Sequence, residues 1–356
     1  MGRMRLPILL AAFAAALLLA APADAAQPPR APKGFHGVMW DRAAMDGRPV
    51  NRDAQWARMR RSGVESARTV FSWAAAQPQA GTEPNFAETD TMVELAARNR
   101  VGLLPVVLYT PDWAARYPAR HGTPPKFPED YAAFMGRLVQ RYGPDGTFWT
   151  DHPDVPRRPI RDWQIWNEPH LDFYWYTPGD RWARGYVRML KKARTAIRAN
   201  DPGARVVLAG LADASWKVLN TVYRAGGRRS FDVATINIFT GRPGFVMAAT
   251  RLTRRVMKRR HEGRKPIWVT ETTFPAARGK VPRPDQEWQR RWYTTPRGMA
   301  RRLTDLYALG RKNARRLRLR RIYWYTWAST YSGEDDLFDS QIPACAVLVR
   351  NRQRFA

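Results

Sequence analysis

Trp163-Gln164-Ile165-Trp166-Asn167-Glu168-Pro169 and Ile267-Trp268-Val269-Thr270-Glu271-Thr272 decide how this chain reads. Each is an apolar run that arrives at a glutamate. Neither alternates between apolar and polar residues as a half-exposed strand would, so each reads as a strand buried on both faces of a parallel sheet. Pro169 has no amide hydrogen for a ladder and ends the first run, which leaves Glu168 at a strand mouth.

Working outward, runs of the same kind predict eight strands, at 34–40, 64–73, 101–109, 160–167, 205–211, 231–239, 266–272 and 321–327. Amphipathic segments separate them. After the fourth strand Trp182, Tyr186, Met189, Ala193 and Ile197 recur at helical steps. After the sixth, Phe245, Ala249, Leu252 and Val256 do the same, and Arg251, Arg254, Arg255 and Lys258 are assigned to the solvent side. Alternation of this kind predicts an α/β fold, a (β/α)8 TIM barrel in a single domain. Helices return to strands through tight turns such as Arg61-Ser62-Gly63, whereas the strand-to-helix connections at 74–90, 110–127 and 273–295 are longer and rich in aromatics. Long loops on one rim are expected to wall a cleft, and the Pro-rich stretch 145–159 is expected to cover the other rim.

The chain has 356 residues, 44% hydrophobic, which suffices for one large core. Arg3 and Arg5, the apolar stretch from Leu6 to Ala21 and the small residues Ala23 and Ala25 resemble a secretory leader. Residues 1–25 are therefore expected to be cleaved before Ala26, leaving a secreted or extracytoplasmic catalytic domain over 26–356. Cys345 is the single cysteine, so no intramolecular disulfide can form. The histidines His36, His121, His152, His170 and His261 show no metal-ligand spacing, and nothing in the chain asks for a cofactor or an obligate protein partner. The formal net charge is +29. That charge reads either as a solvated arginine-rich exterior or as attraction to an anionic polymer through the Arg-rich helices.

Two carboxylates delivered to one end of a barrel suit glycoside hydrolysis, which needs a proton donor and a nucleophile or base on either side of a sugar bond. Trp163 and Trp166 beside Glu168 predict an apolar setting that raises its pKa toward that of a general acid. Asn167 can hydrogen-bond a sugar hydroxyl. Glu271 must stay ionised to act as a nucleophile, and Arg68, a charge inside an apolar strand, is its expected partner, or else half of a structural salt bridge. Trp113, Phe173, Tyr174, Trp175 and Tyr176 fit either stacking on sugar faces or burial. His36 is either a donor to sugar hydroxyls at the end of strand one or a satisfied core histidine.

With Trp-Asn-Glu-Pro at 166–169 and a glutamate ending strand seven, the chain resembles glycoside hydrolase clan A. It is most like the family that holds β-xylosidases, α-L-iduronidases and bacterial endoglycosidases, family 39, with the cellulase-type family 5 next. Gln77-Pro78, Asp90, Pro111-Asp112-Trp113 and Tyr323-Trp324-Tyr325-Thr326-Trp327 extend the likeness. The resemblance implies a retaining enzyme acting on an oligo- or polysaccharide. It makes Glu168 the acid/base, Glu271 the nucleophile, Asn167 the ligand of the sugar 2-hydroxyl, Arg68 the partner of the nucleophile and Trp327 the floor under the sugar. Strand six departs from the family pattern: Asn237 stands where a His is usual and Phe239 where a Tyr is usual. The missing phenol implies a slower enzyme, a donor supplied instead by Tyr325 or Thr240, or a weakened barrel that only binds carbohydrate or anionic polymer.

Overall fold

The computed structural model describes residues 30–40, 51–179, 181–276, 278 and 292–327. The leader and cleavage point expected within residues 1–26, Cys345 and the tail 329–356 lie outside the described residues, as does most of the 273–295 connection.

Eight parallel strands form the centre of the molecule: β1 (His36–Trp40), β2 (Ser66–Ser72), β3 (Gly102–Leu108), β4 (Asp162–Ile165), β5 (Arg205–Val207), β6 (Ala234–Asn237), β7 (Ile267–Thr272) and β8 (Leu319–Trp324). They run in the order β5-β4-β3-β2-β1-β8-β7-β6. The remaining seam closes more sparsely, through a parallel bridge between Val207 and Val233 and the bonds Leu208 N to Val233 O (3.0 Å) and Asp232 N to Val206 O (2.8 Å). The expected (β/α)8 barrel is the fold. Its strands are shorter than the apolar runs, because residues just beyond each ladder are buried in the turns that leave it.

Between β1 and β2 lies α1 (Arg52–Arg61), and between β2 and β3 a single turn α2 (Trp73–Ala76) and α3 (Ala87–Arg98). Helices α4 (Pro128–Tyr142) and α5 (Thr147–Asp151) precede β4. Then follow α6 (Trp182–Asn200), α7 (Ser215–Arg224), α8 (Pro243–Arg259) and α9 (Pro296–Leu317). Proline opens α4, α8 and α9, where its missing N–H has no intrahelical partner to lose. Buried tyrosines tie helices to strand carbonyls: Tyr131 donates to Val107 O (2.9 Å), Tyr186 to Ile165 O (3.0 Å) and Tyr307 to Gly37 O (3.1 Å). Tyr186 also accepts from Ala209 N (2.9 Å), so α6 clamps the ends of β4 and β5 together.

One large apolar cluster fills the layer between sheet and helices, and a smaller one, Leu104, Val207, Val233, Trp268 and Tyr323, occupies the barrel itself. Arg254 is a correction. Its expected place was the solvent side of α8, yet it is buried. Its guanidinium donates to the carbonyls of Leu317 (2.7 and 3.1 Å), Gly263 (2.8 Å) and Lys265 (2.8 Å). Helical spacing placed it with the charged residues. The unpaired carbonyls closing α9 and the α8–β7 turn draw it inward instead.

Candidate active site

Glu168 follows β4 on a bent stretch of chain. Trp166 (φ 69°) and Glu168 (φ 41°) both adopt left-handed backbone, which costs non-glycine residues of order 1–3 kcal/mol each. Surrounding bonds hold the bend: Trp166 N to Val107 O (3.2 Å), Glu168 N to Gly210 O (2.9 Å) and Trp166 Nε1 to Tyr174 O (2.7 Å). Glu271 lies within β7 near its C-terminal end and pairs in register with Asn237 of β6. Both carboxylates therefore stand on the C-terminal rim, and each residue is 7% exposed.

A buried network links them. Arg68, on β2 and 1% exposed, spends its guanidinium on three strands. Nη1 donates to Glu271 Oε1 (2.6 Å), Nη2 to Asn167 Oδ1 (2.9 Å) and Nε to Gln164 Oε1 (2.8 Å), while Met39 Sδ lies 3.3 Å from Nη1. Asn237 Nδ2 donates to Glu168 Oε1 (2.7 Å) and, more weakly, to Asn167 Oδ1 (3.3 Å). Thr270 Oγ1 donates to Asn237 Oδ1 (2.7 Å) and fixes which way that amide faces. The path Glu168–Asn237–Asn167–Arg68–Glu271 is continuous.

The two acids are placed in unequal settings. Glu271 receives a charge-assisted bond from a buried guanidinium. Glu168 meets a neutral amide, and burial pushes its carboxyl up to about 8, with the nearby charge of Glu271 adding to the rise. One group is thus suited to carry negative charge and the other to hold a proton.

Of the residues singled out from sequence, Glu168, Glu271, Asn167, Arg68 and Asn237 come together. Tyr325 is half-buried, with its ring edge-on to Phe239 at 5.9 Å, so the ring without a phenol packs directly on the one that has it. Trp113 lies in a 3-10 turn beyond β3, 36% exposed, with its indole N–H held by Gln77 O at 2.8 Å. Trp327 is the residue expected as the sugar floor. It is fully buried, and its Nε1 donates to Gln55 Oε1 at 3.1 Å.

His36 is the second correction. It opens β1 instead of ending it, so it sits at the opposite rim, with Nδ1 3.1 Å from Glu65 Oε2 and its ring 4.8 Å from Tyr307. The apolar run extends past it on both sides and hides the direction of the strand relative to the histidine. In the aromatic group Trp175 packs into the core against Trp166 and Tyr186, whereas Phe173 is 59% exposed beside His121.

Sequence reading missed Gln164, Thr270 and Gly210. A polar side chain within an apolar strand was the available signal for Gln164, the same signal that exposed Arg68. Gly210 carried none. It lies three residues beyond β5, bridged to Asn167, where a Cβ would come within 2.6 Å of Asn167 Oδ1 and of Asn237 Nδ2.

No family profile and no curated protein sequence matches the chain. Solved structures do. A family 39 glycoside hydrolase from the gut symbiont Bacteroides cellulosilyticus WH2 superposes with a TM-score of 0.65 at 16% identity, over 91% of this chain and 64% of that one. A monomeric β-xylosidase from Caulobacter crescentus CB15 gives 0.66 at 14% identity, over 92% and 69%. The family 53 catalytic domain from Ignisphaera aggregans gives 0.59 at 17% identity, over 90% and 96%. The chain thus spans somewhat less than two thirds of the first of these. It shares its barrel with clan A glycoside hydrolase structures.

Proposed function

We propose that this chain is a secreted retaining glycosidase that cleaves O-glycosidic bonds of an oligo- or polysaccharide. The observation that carries the reading is the unequal treatment of two buried glutamates on one barrel rim, one paired with Arg68 and the other held toward its protonated form. The barrel shared with glycosidase structures supports it. The leader-like residues 1–25 support export.

In the first step a Glu271 oxygen attacks the anomeric carbon. The bond to the leaving oxygen breaks, and that oxygen takes the proton of Glu168. A glycosyl ester on Glu271 results. In the second step Glu168, now a carboxylate, removes a proton from water as the water attacks the same carbon, and Glu271 is released.

The rest of the network keeps each group in its part. Arg68 balances the charge of Glu271 before attack and draws it back after release. Asn167 Oδ1 is engaged by Arg68 and Asn237, so the amide nitrogen is left to donate to a sugar hydroxyl. Asn237 orients the Glu168 carboxyl.

The test is product stereochemistry on aryl glycosides and polysaccharides, followed by proton NMR, for the wild type and Glu271→Ala. Retention in the wild type and loss of turnover in the variant are expected. An inverted first product, or equal turnover in both proteins, overturns the proposal.

A further inference from the structure

At the rim opposite the two glutamates the barrel opens into a cavity of about 930 Å³. Its walls are the starts of strands and the turns that enter them. Eleven lysine and arginine residues line it, against two carboxylates, Glu65 and Asp162. Both carboxylates are already engaged: Glu65 with His36, and Asp162 with Arg205 (2.6 Å) and Arg321 (3.0 Å).

Nine of the eleven are exposed; Arg157, Arg161 and Arg205 reach Asp145, Asp201 and Asp162, which leaves six, Lys33, Arg100, Arg158, Arg264, Arg318 and Arg320. Among the described residues none of the six pairs with a carboxylate. Helix C-termini also gather at this rim and favour positive charge, which accounts for some arginines. It does not account for Arg158, in the loop before β4, or for Arg320 on β8. Two of the six are placed against conformational preference. Arg100 (φ 54°) and Arg318 (φ 47°) occupy left-handed positions just after α3 and α9, where glycine is favoured. The floor is the Trp268 indole, with the Arg321 guanidinium 4.1 Å and that of Arg205 5.5 Å from its ring centroid. The ring face thereby helps hold these two arginines in place.

We propose that this cavity binds a compact polyanion, several phosphate or sulfate groups clustered on one molecule, on the face of the barrel away from the carboxylates. Guanidinium forks match the paired oxygens of such groups. The site is a concave, partly open basin whose cations come from several strand starts and turns around one centre, so it suits a dense cluster of charges better than the long evenly charged rod of a nucleic acid. Its position leaves the glutamate rim open, so binding there and chemistry at the other end can coexist. The basin gathers eleven of the chain's 60 lysines and arginines, and α6, α8 and α9 carry others on their outer faces.

Calorimetric titration of the full chain with inorganic triphosphate and with a heparin-derived tetrasaccharide tests the proposal and separates phosphate from sulfate as the source. Binding of at least one at one site per chain is expected, weakening steeply with salt. The double variant Arg158→Ser/Arg320→Ser should lose about tenfold in affinity and show a shallower salt slope. Arg251→Ser/Arg255→Ser removes the same charge from α8, outside the cavity, and should change affinity less than about twofold. Equal losses in both variants, absence of binding to the wild type, or tighter binding of a DNA duplex than of either compact probe each overturns it. Circular dichroism and melting of the variants guard against a loss through misfolding.

Discussion

Glu168 shows how one environment serves both catalysis and pH dependence. Its folded pKa of about 8 lies above the ordinary 4.5, first through burial and then through the charge of Glu271. A carboxyl raised in this direction favours folding fully below pH 4.5, and the contribution fades as pH rises through about 8. Glu168→Gln stays neutral throughout. Its stability should match the wild type's near pH 4 and exceed it by about 4 kcal/mol near pH 8, read from melts across that range. A gap independent of pH would count against the buried acid. For turnover, the wild-type kcat/KM should fall on the alkaline side as Glu168 loses the proton it must donate. Arg68→Met takes from buried Glu271, Gln164 Oε1 and Asn167 Oδ1 the guanidinium they share, and urea denaturation should show a loss of about 3–5 kcal/mol. Lysine cannot reach three acceptors at once, so Arg68→Lys should recover only part of it. Arg68 and both glutamates were legible in the chain because a charge inside an apolar strand must find a partner. The partners Gln164 and Asn237 became clear only with the strands side by side.

Among the elements, β5 and α8 contribute most through residues that look incidental. Gly210, just beyond β5, lets Asn167 and Asn237 approach across it, and an added methyl would lie 2.6–2.7 Å from three of their amide atoms. Gly210→Ala should therefore lower kcat by about a hundredfold through misplacement of the amides, with the melting temperature much less affected. A full-rate variant would show that the Asn pair is not needed in that position. Arg254 on α8 closes the carbonyls at the end of α9 and the turn into β7. Arg254→Met should destabilise the fold by about 2–4 kcal/mol in denaturant, since several buried carbonyls lose their donor together. Helical periodicity gave the right helix and the wrong side for this residue. The pattern counts which face is polar, whereas the position of orphan carbonyls on a neighbouring helix decides where a guanidinium goes.

Across the whole molecule the seam between β5 and β6 is the thinnest part of the barrel wall. It holds by an isolated bridge, whereas β2 and β3 pair over seven consecutive positions. Native-state hydrogen exchange should find the Leu208 and Asp232 amides exchanging about tenfold faster than those in the middle of β3. Uniform protection around the barrel would mean that helices, and not ladder length, set the opening energy. The molecule is also polarised end to end, with a buried pair of acids on one rim and a basin of arginines on the other.

The amino-acid sequence by itself determined the eight-fold alternation, the barrel and the two strands that end in acid. Burial pattern and the chemistry of proline and glutamate are local properties, written in consecutive residues. Only the tertiary structure decided that His36 faces the far rim, that Trp327 is enclosed, that Gly210 must lack a side chain and that arginines from distant turns share one cavity. Those outcomes depend on strand sense, on register and on what neighbouring segments leave unsatisfied, and no single stretch of chain contains that information.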